Sequence, residues 1–201
     1  MIRLYDYPDC PFCQKVRVVL AEKDLEFEKI LVDLHKGEQK SPEFLKLNPY
    51  GKVPVLIDDD VVVYDSTIIN EYLDEEYPNP PLMPEDSAGR ARVRQLEDFC
   101  DNSFIPPAGL VLAELHKPEA ERDSDRVRRC QGEISRVLGR LENQLEGREF
   151  LVGDFSLADI AFVPRVLLLP QLGVEVDARL QNLAAWIGRL RERPSVRALG
   201  F

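Results

Sequence analysis

Histidine, cysteine and long apolar runs are scarce in this 201-residue chain, which has 2 histidines and 4 cysteines. A structural zinc site needs four ligands, usually Cys or His residues in closely spaced pairs. Cys10 and Cys13 form such a pair, whereas Cys100, Cys130 and both histidines are isolated. The sequence therefore argues against a metal site. It also predicts no membrane span, because no apolar run approaches the ~20 residues that a spanning helix needs.

Excess basic charge is missing as well. The chain carries 36 acidic and 26 basic side chains and a formal net charge of −10. Nucleic acids and anionic membranes are both bound through surfaces rich in lysine and arginine, so we expect no direct binding to either. The chain also shows no secretory signal pattern. We therefore expect a cytoplasmic protein whose cysteines stay reduced and form no structural disulfide.

The most informative motif that is present is Cys10-Pro11-Phe12-Cys13, which follows a short strand-like run and precedes a helical one. Proline suits the first helical position, where its missing N–H would have no partner in any case. Cys10 then falls at or next to the helix N-cap, facing unpaired amides and the positive end of the helix dipole. Thiols of Cys-x-x-Cys motifs at such positions have pKa values of roughly 3.5–7.5, against about 8.5 for a free thiol. We therefore expect Cys10 to be a reactive nucleophile rather than a structural thiol.

Strand and helix signals alternate through residues 1–77, which we predict to form the first domain. The predicted strands are 2–5, 27–32, 53–57 and 61–64, and the predicted helices are 11–23, 42–47 and 66–77. Their order, βαβ followed by ββα, predicts an α/β fold with a mixed four-stranded sheet. The first two strands should be parallel, and the last two should form a hairpin.

The remainder of the chain has a different character. The proline-rich segment 78–86 cannot continue a helix or a central strand, so we predict a linker there. Residues 87–201 are expected to form an all-α domain with helices at 87–115, 125–145, 157–169 and 180–191. Pro106 and Pro107 should kink or end the first of these helices. Ser156 and Asp159 have the spacing of a capping box, which we interpret as structural.

Several of these motifs, taken in order, resemble the glutathione transferase superfamily over nearly the whole chain. They are the Cys-Pro-Phe-Cys motif, the run NPYGKVPVL at 48–56, the Asp65-Ser66 pair, the proline-rich linker and the Ser156 cap. The resemblance implies a thioredoxin-like N-terminal domain followed by an all-helical C-terminal domain. It also implies a homodimer that uses glutathione as co-substrate and needs no metal.

The resemblance also implies which residues hold glutathione. The implied binding residues are Phe12, Lys40, Lys52, Val53, Pro54, Asp65 and Ser66. Val53 precedes a cis peptide bond at Pro54, and its backbone pairs with the cysteinyl part of the ligand. Asp65 and Ser66 hold the γ-glutamyl end, since a carboxylate can pair with an ammonium and a helix N-terminus can bind a carboxylate. The two lysines lie near the glycyl carboxylate.

Cys10 occupies the position that cysteine-type classes, such as omega, use for catalysis. The resemblance therefore implies a thiol transferase in which Cys10 forms a mixed disulfide with glutathione, acting on a small-molecule or protein disulfide. Cys13 is a possible resolving thiol. An alternative is a conventional transferase that conjugates glutathione to an electrophile, with the Tyr7 hydroxyl or Cys10 activating the glutathione thiol. The acceptor substrate itself is not predicted.

A second resemblance supports a different class of function. The runs at 18–23, 68–75 and 80–84 also resemble stringent starvation protein A, which has this fold and associates with RNA polymerase as a transcription factor. Members of that group typically lack the catalytic cysteine, whereas this chain has both Cys10 and Cys13. The cysteine motif therefore favours an enzyme, and the non-enzymatic regulator is kept as the alternative.

Overall fold

A computed structural model describes residues 1–200 and divides the chain into two compact units, with the boundary between Leu82 and Met83. The boundary lies inside the predicted linker 78–86. Each unit has its own set of buried apolar residues.

The N-terminal unit is built on a four-stranded mixed sheet in the order β2-β1-β3-β4. The strands are β1 (Ile2–Asp6), β2 (Phe27–Leu31), β3 (Val55–Asp58) and β4 (Val61–Tyr64). The helices are α1 (Pro11–Glu22), α2 (Pro42–Leu47) and α3 (Ser66–Glu76), with a 3-10 turn at Glu38–Lys40 before α2. β1 runs parallel to β2 and antiparallel to β3, and β3 and β4 form the hairpin. The predicted thioredoxin-like fold is confirmed.

Burial along the strands explains this order. All four residues of β3 are buried, as expected for a central strand that is covered on both faces. In β1, Ile2, Leu4 and Asp6 are buried and alternate with half-buried residues. The hairpin turn between β3 and β4 is tighter than predicted, because β3 includes Asp58. Asp59 makes that turn with a φ of 50°, a left-handed conformation that aspartate tolerates.

A buried ion pair joins the end of α1 to α3 in the N-terminal unit. Lys23, at the end of α1, bonds Asp74 of α3 with an Nζ–Oδ1 distance of 2.6 Å. The Lys23 ammonium also donates to the carbonyl oxygens of Tyr77 and Pro80, at 2.8 and 2.7 Å. Asp74 Oδ1 in turn accepts from the Leu82 N–H at 2.8 Å. The chain after α3 is thus held by charge-assisted hydrogen bonds rather than by regular structure.

The second unit is all-α, as predicted. Its helices are α4 (Ser87–Phe99), α5 (Ile105–Leu115), α6 (Ser124–Gln144), α7 (Leu157–Val166), α8 (Gln181–Glu192) and α9 (Pro194–Arg197). The Phe162 ring of α7 lies 6.4, 5.7 and 6.3 Å, centroid to centroid, from the rings of Phe99, Phe104 and Trp186. These rings form an aromatic centre in the unit's core.

Two helix predictions in this unit are wrong. Residues 87–115 are not one helix, because a π-helical turn at Cys100–Phe104 separates α4 from α5. Pro106 and Pro107, which we expected to kink or end this helix, lie directly after the π-helical turn, in the first turn of α5. The helix predicted at 157–169 ends at Val166, since the apolar run continues into a turn that includes Pro170.

Asp159 is a fully buried carboxylate of the second unit that accepts four hydrogen bonds. Its Oδ1 accepts from the Leu151 N–H at 3.0 Å and from Trp186 Nε1 at 2.8 Å. Its Oδ2 accepts from the N–H and the hydroxyl of Ser156, at 3.0 and 3.1 Å. Burial raises the pKa of Asp159 to about 6, although each of these hydrogen bonds acts in the opposite direction. The predicted capping box is present at the start of α7.

Candidate active site

Cys10 is the N-cap of α1, directly before Pro11. Its extended backbone (φ −76°, ψ 118°) turns into the helix at the next residue. The Cys10 N–H donates to the Tyr7 carbonyl at 3.1 Å, and its own carbonyl accepts from the Gln14 N–H at 3.0 Å. The thiol is half-buried and not part of a disulfide. It therefore lies where the first amides of the helix have no intrahelical partner, the position expected from the sequence.

Cys13 differs from Cys10 in burial and in protonation. It lies one turn into α1 with no exposed surface. Its pKa is raised far above the ordinary thiol value, first by burial, then by its hydrogen bond to Cys10 and by the charge on Cys10. Burial therefore favours the neutral thiol at Cys13, which lies in hydrogen-bond contact with Cys10.

The loop before β3 brings Val53 and Pro54 to this region, and the peptide bond between them is cis, as the resemblance implied. The side-chain amide of Asn48 fixes the loop by donating to the Lys52 carbonyl at 2.7 Å and by accepting from the Tyr50 N–H at 3.0 Å. Gly51 has a φ of 60°, and a Cβ there would lie 2.8 Å from the Gln39 carbonyl oxygen. Only glycine fits this turn, which presents Val53 in a defined position.

Asp65 and Ser66 form the start of α3. Asp65 Oδ1 accepts from the Thr67 and Ile68 N–H groups at 3.0 and 3.4 Å, while Oδ2 takes no part in these two bonds. Asp65 has a φ of 75°, a conformation that non-glycine residues adopt rarely and that concentrates at ligand sites. Ser66 is buried at the first helical position. The arrangement offers a carboxylate beside the positive end of a helix.

A cavity of about 560 Å³ joins these two segments. The predicted site residues that line it are Phe12, Lys52, Val53, Pro54, Asp65 and Ser66. Lining residues that the sequence analysis did not assign are Asn48, Tyr50, Tyr64 and Ile68. The volume is typical of a small-ligand pocket. With a lysine, a carboxylate and a helix N-terminus in its wall, the cavity can hold a ligand that carries both signs of charge.

The remaining predicted residues lie outside the lining of this cavity. Cys10 packs beside it, against a buried cluster that includes Cys13 and Val53. The Lys40 ammonium donates to the carbonyl oxygens of Tyr50 and Gly51 at 3.3 and 3.2 Å. Lys40 therefore holds the cavity loop, and its contact with a glycyl carboxylate stays a prediction.

Tyr7, the alternative activating residue, also packs against the buried cluster. Its hydroxyl is hydrogen-bonded to His35 Nε2 at 2.8 Å, and the two rings meet edge to face with centroids 5.9 Å apart. The sequence analysis gave His35 no role. No local pattern could have found it, since the two residues are 28 positions apart.

Two basic side chains near the Cys-Pro-Phe-Cys motif contact other groups of the protein. Arg17 bonds Asp6 Oδ2 at 3.3 Å and the Pro8 carbonyl at 2.8 Å. The Lys15 ammonium lies 5.4 Å from the centroid of the Phe12 ring.

Among residues 1–200, no group of three or more His, Cys, Asp and Glu side chains is arranged to hold a metal ion. No helix in the same range is long and apolar enough to cross a membrane.

Comparison with known proteins defines the family. Residues 4–81 match the glutathione S-transferase N-terminal domain, and residues 104–194 match the C-terminal domain. The chain belongs to the glutathione S-transferase family. Glutathione S-transferase F10 of Arabidopsis thaliana is 34% identical over 184 residues, which cover 88% of this chain and 86% of the relative.

Similar proteins differ in the functions that their names carry. A stringent starvation protein A homolog of Pasteurella multocida is also 34% identical, over 185 residues covering 92% of this chain and 82% of the relative. Among solved structures, a glutathione transferase of Burkholderia graminis has two glutathione molecules bound per subunit. It is 31% identical, with a TM-score of 0.84 over 98% of this chain and 86% of that one.

Proposed function

We propose that this chain is a glutathione-dependent thiol transferase that reduces disulfides through Cys10. The observation that carries the proposal is the unequal cysteine pair at the start of α1. Cys10 is half-buried at the helix N-cap, and the buried Cys13 acts as its hydrogen-bond donor. A conventional conjugating transferase has no need of a nucleophilic protein thiol, whereas disulfide exchange requires one.

The cavity beside Cys10 is the proposed glutathione site. Its wall supplies the Val53 backbone for the cysteinyl part of the ligand, and Asp65 with the α3 amides for the γ-glutamyl end. Lys52 can pair with the glycyl carboxylate. The glutathione bound in the Burkholderia graminis relative supports this choice of ligand.

The proposed reaction has two exchange steps. The Cys10 thiolate attacks the glutathione sulfur of a mixed disulfide, the substrate's S–S bond breaks, and the substrate leaves as a thiolate that takes up a proton. A second glutathione, as thiolate, then attacks the glutathione sulfur bound to Cys10, which releases glutathione disulfide and restores the Cys10 thiolate. Electrons pass only between sulfur atoms, so no further reductant is needed. Cys13 supports the Cys10 thiolate, and its own attack is hindered because its pKa is raised.

The test is reduction of a glutathione mixed disulfide with excess glutathione, compared across three cysteine variants. Cys10→Ser should lose turnover by about 100-fold or more, since the nucleophile is removed. Cys13→Ser should keep most of it, and Cys130→Ser, which alters a buried thiol in the other unit, is the control. Robust turnover by Cys10→Ser would overturn the proposal. Conjugation of glutathione to a chloronitrobenzene by that same variant would favour the conventional transferase.

The second candidate is a regulator that acts with RNA polymerase. It is favoured by the stringent starvation protein A homolog, whose identity to this chain equals that of the Arabidopsis transferase. Binding to immobilised glutathione separates the two candidates. Retention supports the enzyme, whereas no retention together with co-purification of RNA polymerase supports the regulator. We further propose that the protein is cytoplasmic, because the thiol chemistry requires a reducing compartment. We also propose the homodimer that the family resemblance implies, and sedimentation of the purified chain tests it.

A further inference from the structure

One open edge of the sheet lies at β2, an outermost strand in the order β2-β1-β3-β4. In a paired strand, the backbone N–H and C=O of one residue point to the same side, and successive residues alternate. The Val32 N–H donates to the Asp6 carbonyl of β1 at 2.9 Å. Ile30 therefore also faces β1, whereas the backbone groups of Lys29 and Leu31 point away from the sheet. Such an edge can pair with a further extended chain.

A second cavity, of about 450 Å³, lies beside this edge, and we call it the edge cavity. Its apolar wall comes from β1, β2 and α2, and includes Tyr5, Ile30, Phe44 and Leu47. Ile30 is the register partner of Tyr5, so the two side chains share one face of the sheet. The Phe44 ring meets the Tyr5 ring edge to face, with centroids 5.9 Å apart. The edge cavity shares no lining residue with the cavity proposed for glutathione.

The charges in the wall of the edge cavity have one sign. Glu38 and Glu43 are exposed, and they are the charged residues among the described residues that line it. Lys29 and Lys36, on β2 and in the loop after it, lie 3.9 and 3.2 Å from the carboxylate oxygens with which they pair. Lys46 of α2 is not part of the lining. An occupant that combines apolar side chains with positive charge is therefore complementary to this surface.

The edge cavity lies at the same end of the sheet as the Cys-Pro-Phe-Cys motif. β1 and β2 are parallel, and Cys10 follows the last residue of β1, Asp6, by four positions. Four residues span at most about 14 Å, and a strand added to β2 lies two spacings of about 4.8 Å from β1. The nearer end of an added strand is then within about 24 Å of Cys10, which about seven extended residues can bridge.

We propose that the β2 edge and the edge cavity dock an extended, basic and apolar segment of a protein substrate whose cysteine carries glutathione. The inference rests on the thiol transferase function proposed above and assigns its substrate class, which is protein mixed disulfides. The segment pairs its backbone with the outward groups of Lys29 and Leu31. Its alternate apolar side chains enter the edge cavity, and its lysines or arginines pair with Glu38 and Glu43. The two exchange steps are unchanged, and the protein substrate leaves as the thiolate.

Two peptides test the docking. Each carries a cysteine in mixed disulfide with glutathione, about six residues from a segment in which valine alternates with a charged residue. The charged residue is lysine in one peptide and glutamate in the other. The mixed disulfide of free cysteine with glutathione is the reference substrate, because it is too small to reach the edge. With excess glutathione, kcat/KM of the native chain should be about 10-fold higher for the lysine peptide than for the glutamate peptide.

Glu43→Lys reverses one charge in the wall of the edge cavity. It should lower kcat/KM for the lysine peptide by about 10-fold and leave kcat/KM for the small disulfide unchanged, since Glu43 does not line the glutathione cavity. Glu121→Lys is the matched control. It changes the net charge by the same amount at an exposed position in the other unit, and should keep the native preference for the lysine peptide.

Leu31→Pro tests the backbone pairing. Proline removes the outward N–H, which β1 does not use, and edge strands accept proline in this orientation. Leu31→Ala removes the exposed side chain but keeps the N–H. For the lysine peptide, kcat/KM of the proline variant should be about 5-fold below that of the alanine variant, the effect of about one hydrogen bond. Both variants should reduce the small disulfide at the native rate, which also shows that they are folded.

The outcomes separate the docking from the proposed function. If the lysine peptide is not preferred, or if Glu43→Lys and Glu121→Lys affect it equally, the docking proposal is wrong, and turnover of the small disulfide still supports the thiol transferase. Equal rates for Leu31→Pro and Leu31→Ala contradict the strand pairing. If the native chain reduces neither the peptides nor the small disulfide, the proposed function is overturned, and the docking of a substrate with it.

Discussion

The first turns of α1 and α7 both contain backbone N–H groups without an intrahelical partner, but different groups are placed beside them. At α7, the buried Asp159 accepts four hydrogen bonds, and the Ser156 N–H is satisfied within the protein. At α1, the N-cap is a cysteine whose side chain makes no capping hydrogen bond to the helix. Helix N-termini favour negative charge in both cases. At α7 a carboxylate lies at the positive end of the helix and stabilises the fold. At α1 we propose that the Cys10 thiolate takes this place.

The start of α3 lies between these two cases. Asp65 caps the helix through one oxygen, as a structural cap does, yet it also lines the cavity proposed for glutathione. The three N-termini thus differ in how much of their hydrogen-bonding capacity the protein itself uses. Substitutions that leave the helix intact but change this capacity are the direct way to test the comparison.

The largest effect is expected for Asp159→Ala. The change leaves the buried Leu151 N–H, Ser156 N–H and Trp186 Nε1–H without their acceptor. Each unsatisfied buried group costs about 1–3 kcal/mol, so we expect the free energy of unfolding to fall by about 4 kcal/mol in urea titrations. Asp154→Ala, at an exposed position nearby, should change it by less than about 0.5 kcal/mol. Equal losses in both variants would show that the buried network is not the cause.

Protonation of the Asp159 carboxylate should make the free energy of unfolding depend on pH. The pKa of Asp159 is raised to about 6 in the fold from a model value of 3.8, so the folded state binds the proton more tightly than the unfolded state. Its contribution to stability is therefore largest below about pH 4, falls as the pH rises to about 6, and is constant above that. At 1.36 kcal/mol per pKa unit, the fall is on the order of 3 kcal/mol.

Asp159→Asn isolates this contribution, because an amide does not titrate. Unfolding free energies of both chains are compared between about pH 4 and about pH 7, the window given by the two pKa values. The advantage of the native chain over the variant should shrink as the pH rises. A difference that stays flat across this range would contradict the raised pKa.

At α1, the comparison of the helix N-termini is tested by removing Cys13, the side chain that hydrogen-bonds Cys10. Cys13→Ala deletes the side chain that hydrogen-bonds Cys10, so the pKa of Cys10 should rise. A hydrogen bond is worth about 1 kcal/mol, which corresponds to an alkylation rate of Cys10 about 5-fold lower in mildly acidic solution. The rate is measured by mass spectrometry of the Cys10 peptide. Cys13→Ser keeps a donor and should alkylate nearly as the native chain does, and equal slowing of both variants would contradict this explanation.

Local signals carried most of the correct predictions. The place of Cys10 at the start of α1 was predicted because an apolar helix follows it. The mixed sheet, with its parallel first pair and its hairpin, was predicted from the succession of strands and helices. The features that were missed depend on tertiary contacts. Lys40 is hydrogen-bonded to a carbonyl oxygen of the cavity loop, and the Tyr7 hydroxyl is hydrogen-bonded to His35. Both bonds join segments that are distant in sequence, so no local pattern predicts them. The π-helical turn at Cys100–Phe104 interrupts a pattern that the sequence continues without a break.

The smallest change in stability, and the clearest separation of capping from binding, is expected for Asp65→Asn. Asparagine caps helices as well as aspartate does and tolerates a positive φ, so the free energy of unfolding should change by less than about 0.5 kcal/mol. The charge that would pair with the γ-glutamyl ammonium is removed, however, and glutathione affinity measured by calorimetry should fall about 10-fold, a loss of roughly 1.4 kcal/mol. Asp86→Asn is the matched control, because Asp86 caps α4 through the Gly89 N–H but belongs to the other unit. If both variants bind glutathione equally well, Asp65 is a cap and nothing more, and α3 then belongs with α7 rather than with α1.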